Sequence, residues 1–325
     1  LAFSNAQALV DIESCRELIV DSSIMGMGRG AGNLNTELFI EHLNTTKGAN
    51  YELKPILRLI DEIINKFHQE NYWGFSLSNY LSARHNIHPN YARYLANKNT
   101  LSIADMDNIF EQISADKQVE FDKNYIEALY LAYMKKGEVN EERLLTLKEK
   151  IINKKVLLIA PGKSSDEEKE KIVSYVQKNN VITISVNFNY MDVPIDYIFI
   201  SNIRRFKSLE NMQSSKIIAT SNISSKNCLI KVAYTDLING HEIVSDNAGL
   251  MLINFLIKLG AKEIALAGFD GYSYANENNY AKSAMRLSYK KGDLDALNNG
   301  MMKVLKEYKK DIDIHFVTEE RFIKI

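Results

Sequence analysis

Four glycines fall at every second position of GMGRGAGNLNTE (26–37): Gly26, Gly28, Gly30 and Gly32, with Arg29 among them and Asn33 directly after. A run stripped of side chains lets the backbone approach a ligand closely and turn its N–H groups toward an anion. Arg29 adds a planar fork that matches a substrate carboxylate, or else it stays solvated on the surface. Glu37 falls in the first turn of the helix that follows, where it either answers the helix dipole or takes part in chemistry.

The same run satisfies G-x-G-x-x-A, the weak form of a dinucleotide fingerprint. It continues through GAGN before its helix opens, longer than that fingerprint needs, and Asp21, Ser22 and Ser23 precede it. A tight strand-to-helix turn is the plain alternative. A second constellation lies in VLLIAPGKSS (156–165), where Gly162, Lys163 and Ser164 stand between a strand and a helix. That placement presents N–H groups to an anion, although the spacing of a Walker phosphate loop is absent. Asn187 and Asn202 end two further strands, Asn247 opens a helix, and Asp270 closes the block KEIALAGFD. Ligands of open α/β sheets sit at such carboxyl ends. The asparagines equally suit capping, and Asp270 a turn. His241 is a candidate base. None of the six histidines forms an H-x-H pair. His85 and His88, next to Pro89, suit capping or packing better than a metal.

The elements that must position these residues divide the chain into three. LIVDSSI (18–24) is apolar and β-branched like a buried strand, and TELFIEHL reads as a helix, so residues 1–50 suggest helix, strand, loop, helix. From 51 to 152 the period is helical. YELKPILRLIDEIINKF carries an amphipathic stripe, and further helices are expected near 73–86, 102–114, 122–136 and 140–151. From 153 to 325 short apolar runs at 156–160, 181–187, 196–202, 216–221, 228–234, 263–270 and 313–318 alternate with helices at 165–179, 247–259 and 292–309. Strands this apolar, alternating with helices, predict a mainly parallel, doubly wound sheet. The fold class is therefore α/β.

Composition narrows the function. With 46% hydrophobic and 25% charged residues and a formal net charge of −1, nothing in the composition suggests a broad nucleic-acid surface. Two distant cysteines, Cys15 and Cys228, lack metal-type spacing and point to a reducing, cytoplasmic setting. No apolar run reaches the ~18 residues of a membrane span. A homo-oligomer is expected. The chain opens on Leu1 and runs straight into a helical pattern, as the later part of a longer protein would.

With its flanks, IVDSSIMGMGRGAGNLNTELFIEHL resembles the last strand-loop-helix of the metal-dependent aldolase and lyase barrels, which include 4-hydroxy-2-oxovalerate aldolase, HMG-CoA lyase and isopropylmalate synthase. YELKPIL, WGFSLSNYLSA and HPNYARYL resemble the helical extension of bacterial members, so the resemblance covers about 1–140. It implies the end of a TIM (β/α)₈ barrel and C–C cleavage or condensation of a 2-oxo acid with an aldehyde. Mg or Mn would stabilise the enolate. It implies Asn33 as metal ligand as in the lyase branch, or as a support behind the ligands as in the aldolase branch, with Arg29 and Glu37 as catalytic residues, and Gly28 and Gly30 as substrate-binding. The family's Asp-Arg-Glu and H-x-H motifs are missing, so this chain alone is expected to be inactive as a lyase. Residues 155–275 resemble nucleotide-using folds of the sialyltransferase and pterin pyrophosphokinase type. That resemblance implies a Rossmann-like domain in which Gly162, Ser164, Asn187, Asn202, Asn247 and Asp270 line a nucleotide or sugar-nucleotide pocket. A transferase is the alternative function.

Overall fold

The computed structural model describes residues 2–12, 15–70, 72–98, 100–135, 140–209, 212–225, 227–275, 279–282 and 291–321. The chain divides into two compact units, Leu1–Tyr130 and Leu131–Ile325. The division falls inside a helix, earlier than the change of sequence period at about 152.

In the first unit, α1 (Ala2–Asp11) and α2 (Thr36–Lys47) flank the glycine loop. Residues 13 and 14, the end of the apolar pattern that predicts α1, lie outside the described residues. The strand expected at 18–24 does not form. Residues 17–22 have no regular structure, and Ser23 makes an isolated parallel bridge to Asn35 before a 3₁₀ turn at Ile24–Gly26. A strand exists only with a partner for its N–H and C=O groups, and here the pairing stops at Ser23 N–H to Leu34 O (2.9 Å) and Thr36 N–H to Ser23 O (3.0 Å). Ile19 is accordingly 85% exposed. A barrel strand is thus absent among the described residues of this unit.

The helical region follows its periodicity. α3 (Lys54–Leu59), a π-turn (Ile60–Ile64) and α4 (Asn65–Glu70) form one continuous rod, followed by α5 (Leu77–Arg84), α6 (Pro89–Asn97), α7 (Ile103–Phe110) and α8 (Lys123–Met134). Tyr91, Leu95, Met106, Ile109 and Ile126 are buried between the last of these. The Tyr91 hydroxyl donates to Lys117 O and Glu120 O and accepts from Asp122 N–H, so the largest core ring leaves no polar atom orphaned. Ser102 and Asp105 close a capping box on α7, as the S-x-x-D spacing dictates.

The second unit is a parallel sheet. After α9 (Glu141–Ile151) come β1 (Lys155–Ile159), α10 (Ser164–Glu167), α11 (Lys169–Lys178), β2 (Val181–Val186), β3 (Tyr197–Ile200), α12 (Ile203–Phe206), β4 (Ile217–Thr220), β5 (Ile230–Val232), α13 (Ala248–Leu259), β6 (Glu263–Ala267), α14 (Lys291–Tyr308) and β7 (Asp313–Phe316). All described pairings are parallel, in the order β5-β4-β3-β2-β1-β6-β7. On one face Leu157, Ile159, Ile198, Ile200, Ala265 and Ala267 pack with Ile172 of α11 and Phe206 of α12. α13 buries eight of its residues, Leu250 and Ile253 completely. Strands covered on both faces need no polar alternation, which is why each run is continuously apolar.

The sheet reverses direction between β1 and β6, and the two strand ends are fused there. Ala160 N–H donates to Ala267 O (2.8 Å) and Gly162 N–H to Gly268 O (2.9 Å). Gly268 holds φ +64, and a Cβ on it would lie 2.1 Å from Ala160 O. Gly268→Ala should therefore destabilise the chain by about 3 kcal/mol in urea unfolding. Gly240→Ala, where a Cβ meets open space, should change stability by less than about 0.5 kcal/mol.

Candidate functional site

The carboxyl edge of the sheet gathers two groups of the residues singled out in the sequence. The first is Gly162, Ser164 and Asp270. The Asp270 carboxylate, 4% exposed, accepts from Ser164 N–H (2.8 Å) on one oxygen and from the Ser164 hydroxyl on the other. Thr318, just beyond β7, joins them: its hydroxyl lies 2.7 Å from Ser164 Oγ and accepts from Gly268 N–H (2.9 Å). A Cβ on Gly162 would lie 2.3 Å from Gly268 O and 2.7 Å from the Asp270 carboxyl carbon. The anion that the P-G-K-S loop meets with its N–H is thus the chain's own carboxylate. Burial raises the Asp270 carboxyl above its ordinary range, and the Ser164 bonds pull the other way. Lys163 beside them is part-exposed, its Nζ 4.0 Å from Glu167.

The second group sits at the ends of β2, β3 and β4. Asn187, at φ +62, accepts from Ser201 N–H (3.1 Å), and Asn222 donates to Ser201 O (2.9 Å). Asn and Gly are the residues that tolerate this left-handed backbone. The two asparagines hold one residue from opposite sides. Asn222 follows KIIATS as Asn202 follows DYIFIS, so the strand-end rule that selected Asn202 extends to it. Asn202 caps α12 through Arg204 N–H (3.0 Å). Asn247 stands apart at the start of α13 and accepts from Gly249 N–H (3.0 Å) and Leu250 N–H (3.2 Å). His241 pairs with Glu307 at 3.1 Å.

In the first unit the glycine loop is held from within and from behind. Gly26, Gly30 and Gly32 take φ +61, +63 and +85. Glu37 accepts from Met25 N–H (3.0 Å) and from the Asn35 amide (3.2 Å), so its carboxylate fastens the loop onto α2. The Asn33 amide donates to Met27 O (2.9 Å) and covers Gly28, where a Cβ would lie 2.6 Å from Asn33 side-chain atoms. Two braces come from some fifty residues away: Trp73 Nε1–H donates to Met25 O (2.9 Å) and the Asn79 amide to Gly30 O (2.8 Å). Nothing in local spacing announces either. Arg29 is exposed. Beside the loop a cavity of about 460 Å³ is lined by Asp21, Ser22, Asn33 and Leu34 among others.

This arrangement fits a divalent ion poorly. Mg takes six oxygen ligands, whereas among the described residues no three of His, Cys, Asp and Glu converge. Asn33 offers one neutral oxygen. His88 caps α6 by accepting from Asn90 N–H (3.2 Å), and His85 pairs with Asp107 at 2.6 Å. No helix among the described residues is long and apolar enough to cross a membrane.

The chain matches no protein-family model and no curated protein.

The raised carboxyl of Asp270 has a pH signature. A folded pKa above the unfolded 3.8 means that stability from this group is complete below 3.8 and is lost as pH rises through the folded value. Urea midpoints from pH 3 upward should show wild type losing ground relative to Asp270→Asn across that window, with a constant difference above it. A difference independent of pH throughout would sink the assignment.

Proposed function

We propose that this chain serves an enzyme of two parts: an aldolase or lyase of the 4-hydroxy-2-oxovalerate type, to which residues 1–50 contribute, and a transferase that uses a nucleotide or sugar nucleotide at residues 153–325. The geometry supports the second part best. The observation that carries it is the reversal of an all-parallel sheet between β1 and β6, the place where open α/β sheets take ligands. Two side chains on the adjoining ends of β1 and β2 have capacity to spare for a ligand. They are the part-exposed Lys163, for a phosphate charge, and the Asn187 amide nitrogen, for a base or ribose. Asp270, Ser164 and Gly162 hold the loop that carries Lys163.

A ligand present at a hundred times its dissociation constant stabilises the folded state by ~2.7 kcal/mol. Thermal melts against CMP, CDP, UDP, GDP and ATP should therefore show one clear winner. Asn187→Gly, which keeps the left-handed backbone and removes the amide, should shrink the shift, as should Lys163→Ala. If no nucleotide raises the melting temperature, the transferase reading fails.

The lyase part draws on a specific feature, the braced glycine loop with Arg29 exposed on it. In this reading Arg29 holds the carboxylate of the 2-oxo acid, and the loop backbone packs against the substrate. A Mg or Mn ion would need ligands beyond those the described residues bring together. In a protein that supplies the missing Asp-Arg-Glu and H-x-H motifs, Arg29→Ala should raise KM for a 4-hydroxy-2-oxo acid roughly tenfold with little change in kcat, the mark of a lost binding contact. An unchanged KM would leave Arg29 a solvated surface residue.

A further inference from the structure

A second cavity lies at the opposite edge of the sheet, wholly within the second unit. It holds about 320 Å³ at the amino ends of β3, β4 and β5, roofed by α9. Arg143 and Lys150 line it from that helix. Seven residues apart, they share one face about 10 Å from end to end. Arg143 Nη1–H donates to Leu229 O (2.9 Å), which anchors the guanidinium and leaves its other donors uncommitted. Among the described residues neither Arg143 nor Lys150 forms an ion pair, and no carboxylate lines the cavity. Ser214, Ser215 and Tyr197 line the same space with hydroxyls that bond to no described group.

Two unpaired cations and three uncommitted hydroxyls around one concavity describe an anion receptor. From this we infer that the cavity binds a small phosphomonoester, of the size of a sugar phosphate. The charge of such a group, about −1.5 to −2 at neutral pH, matches two cations better than a single carboxylate does. The volume admits the phosphate and a small polar body and falls at the lower end of small-ligand sites, ~300–1,000 Å³, below what a dinucleotide fills. The inner wall carries Cys228, a buried thiol pushed up in pKa by that burial while Lys231 and Arg143 pull it back. A ligand seated here therefore lies against the thiol. The strands separate this cavity from the carboxyl edge, so the site stands whether or not a nucleotide binds there.

Titration of the intact chain with glucose 6-phosphate and glycerol 3-phosphate by calorimetry tests the inference. Saturable one-to-one binding is expected, weakening as salt rises, and weaker by roughly tenfold in Arg143→Gln/Lys150→Gln. Should that pair fail to fold, Lys150→Gln alone reads the same quantity, because its exposed side chain supports no described contact. A second readout uses Cys15→Ser, in which Cys228 is the remaining thiol of the two: bound ligand should slow its reaction with a neutral maleimide several-fold. Absence of saturation, affinity unchanged in the glutamine variants, unprotected Cys228, or equal affinity for inorganic sulfate would each overturn the assignment.

Discussion

The carboxylate of Asp270 closing over the amide and hydroxyl of Ser164 is the contact on which the carboxyl edge of the sheet depends. It ties the loop after β1 to the loop after β6, where the sheet changes direction, and Thr318 locks the strand-end of β7 to both. Burying a carboxylate at 4% exposure is unfavourable unless its oxygens are met. Ser164 meets each oxygen with one donor, and the two glycines at 162 and 268 allow the backbones to come within range. Removing either glycine or the serine would leave the charge stranded, so these residues act as a set.

The glycine loop of the first unit is built on the same logic. Its donors and acceptors are met by Glu37, Asn35, Asn33, Trp73 and Asn79, all from the chain itself. A loop with positive φ at three glycines loses much entropy on folding, and the inward bonds from α2 and from the 73–79 segment offset that loss. Met27, Ala31 and Asn33 face outward beside Arg29. A single exposed cation on a loop held from behind suits recognition of a small anion rather than a large surface.

Most of the second unit was legible because a parallel strand covered on both faces declares itself as an unbroken apolar run. All seven such runs became strands, and those ending in VN, SN and TS stop short of Asn187, Asn202 and Ser221, the polar residues that leave the ladder. LIVDSSI (18–24) had the same composition and failed, since composition reports fitness for a sheet and not the presence of a neighbour. The candidate residues were found by position, at strand ends and helix starts, but their local duties decide what they can offer. Asn202 and Asn247 spend their oxygens on capping, and Asp270 spends both of its own on Ser164. Trp73 and Asn79 could not be found at all, because their partners lie nearly fifty residues away in sequence.

That internal satisfaction restricts how a nucleotide could sit on this edge. A phosphate placed at a helix N-terminus needs free N–H groups and a helix long enough to carry a dipole. α10 has four residues, and the N–H of Ser164 that opens it is already held by Asp270. The pose of a P-loop is therefore closed to any ligand here, and phosphate charge must be met by a side chain, with Lys163 the one on this loop. The Asn187 amide, fixed by its bond to Ser201, presents donors of defined direction one strand away. Selectivity at such a site would come from the base and sugar, read by side chains on strand ends. A mono- or diphosphate in a sugar nucleotide fits that division better than a triphosphate, whose charge the single lysine would leave largely unmatched.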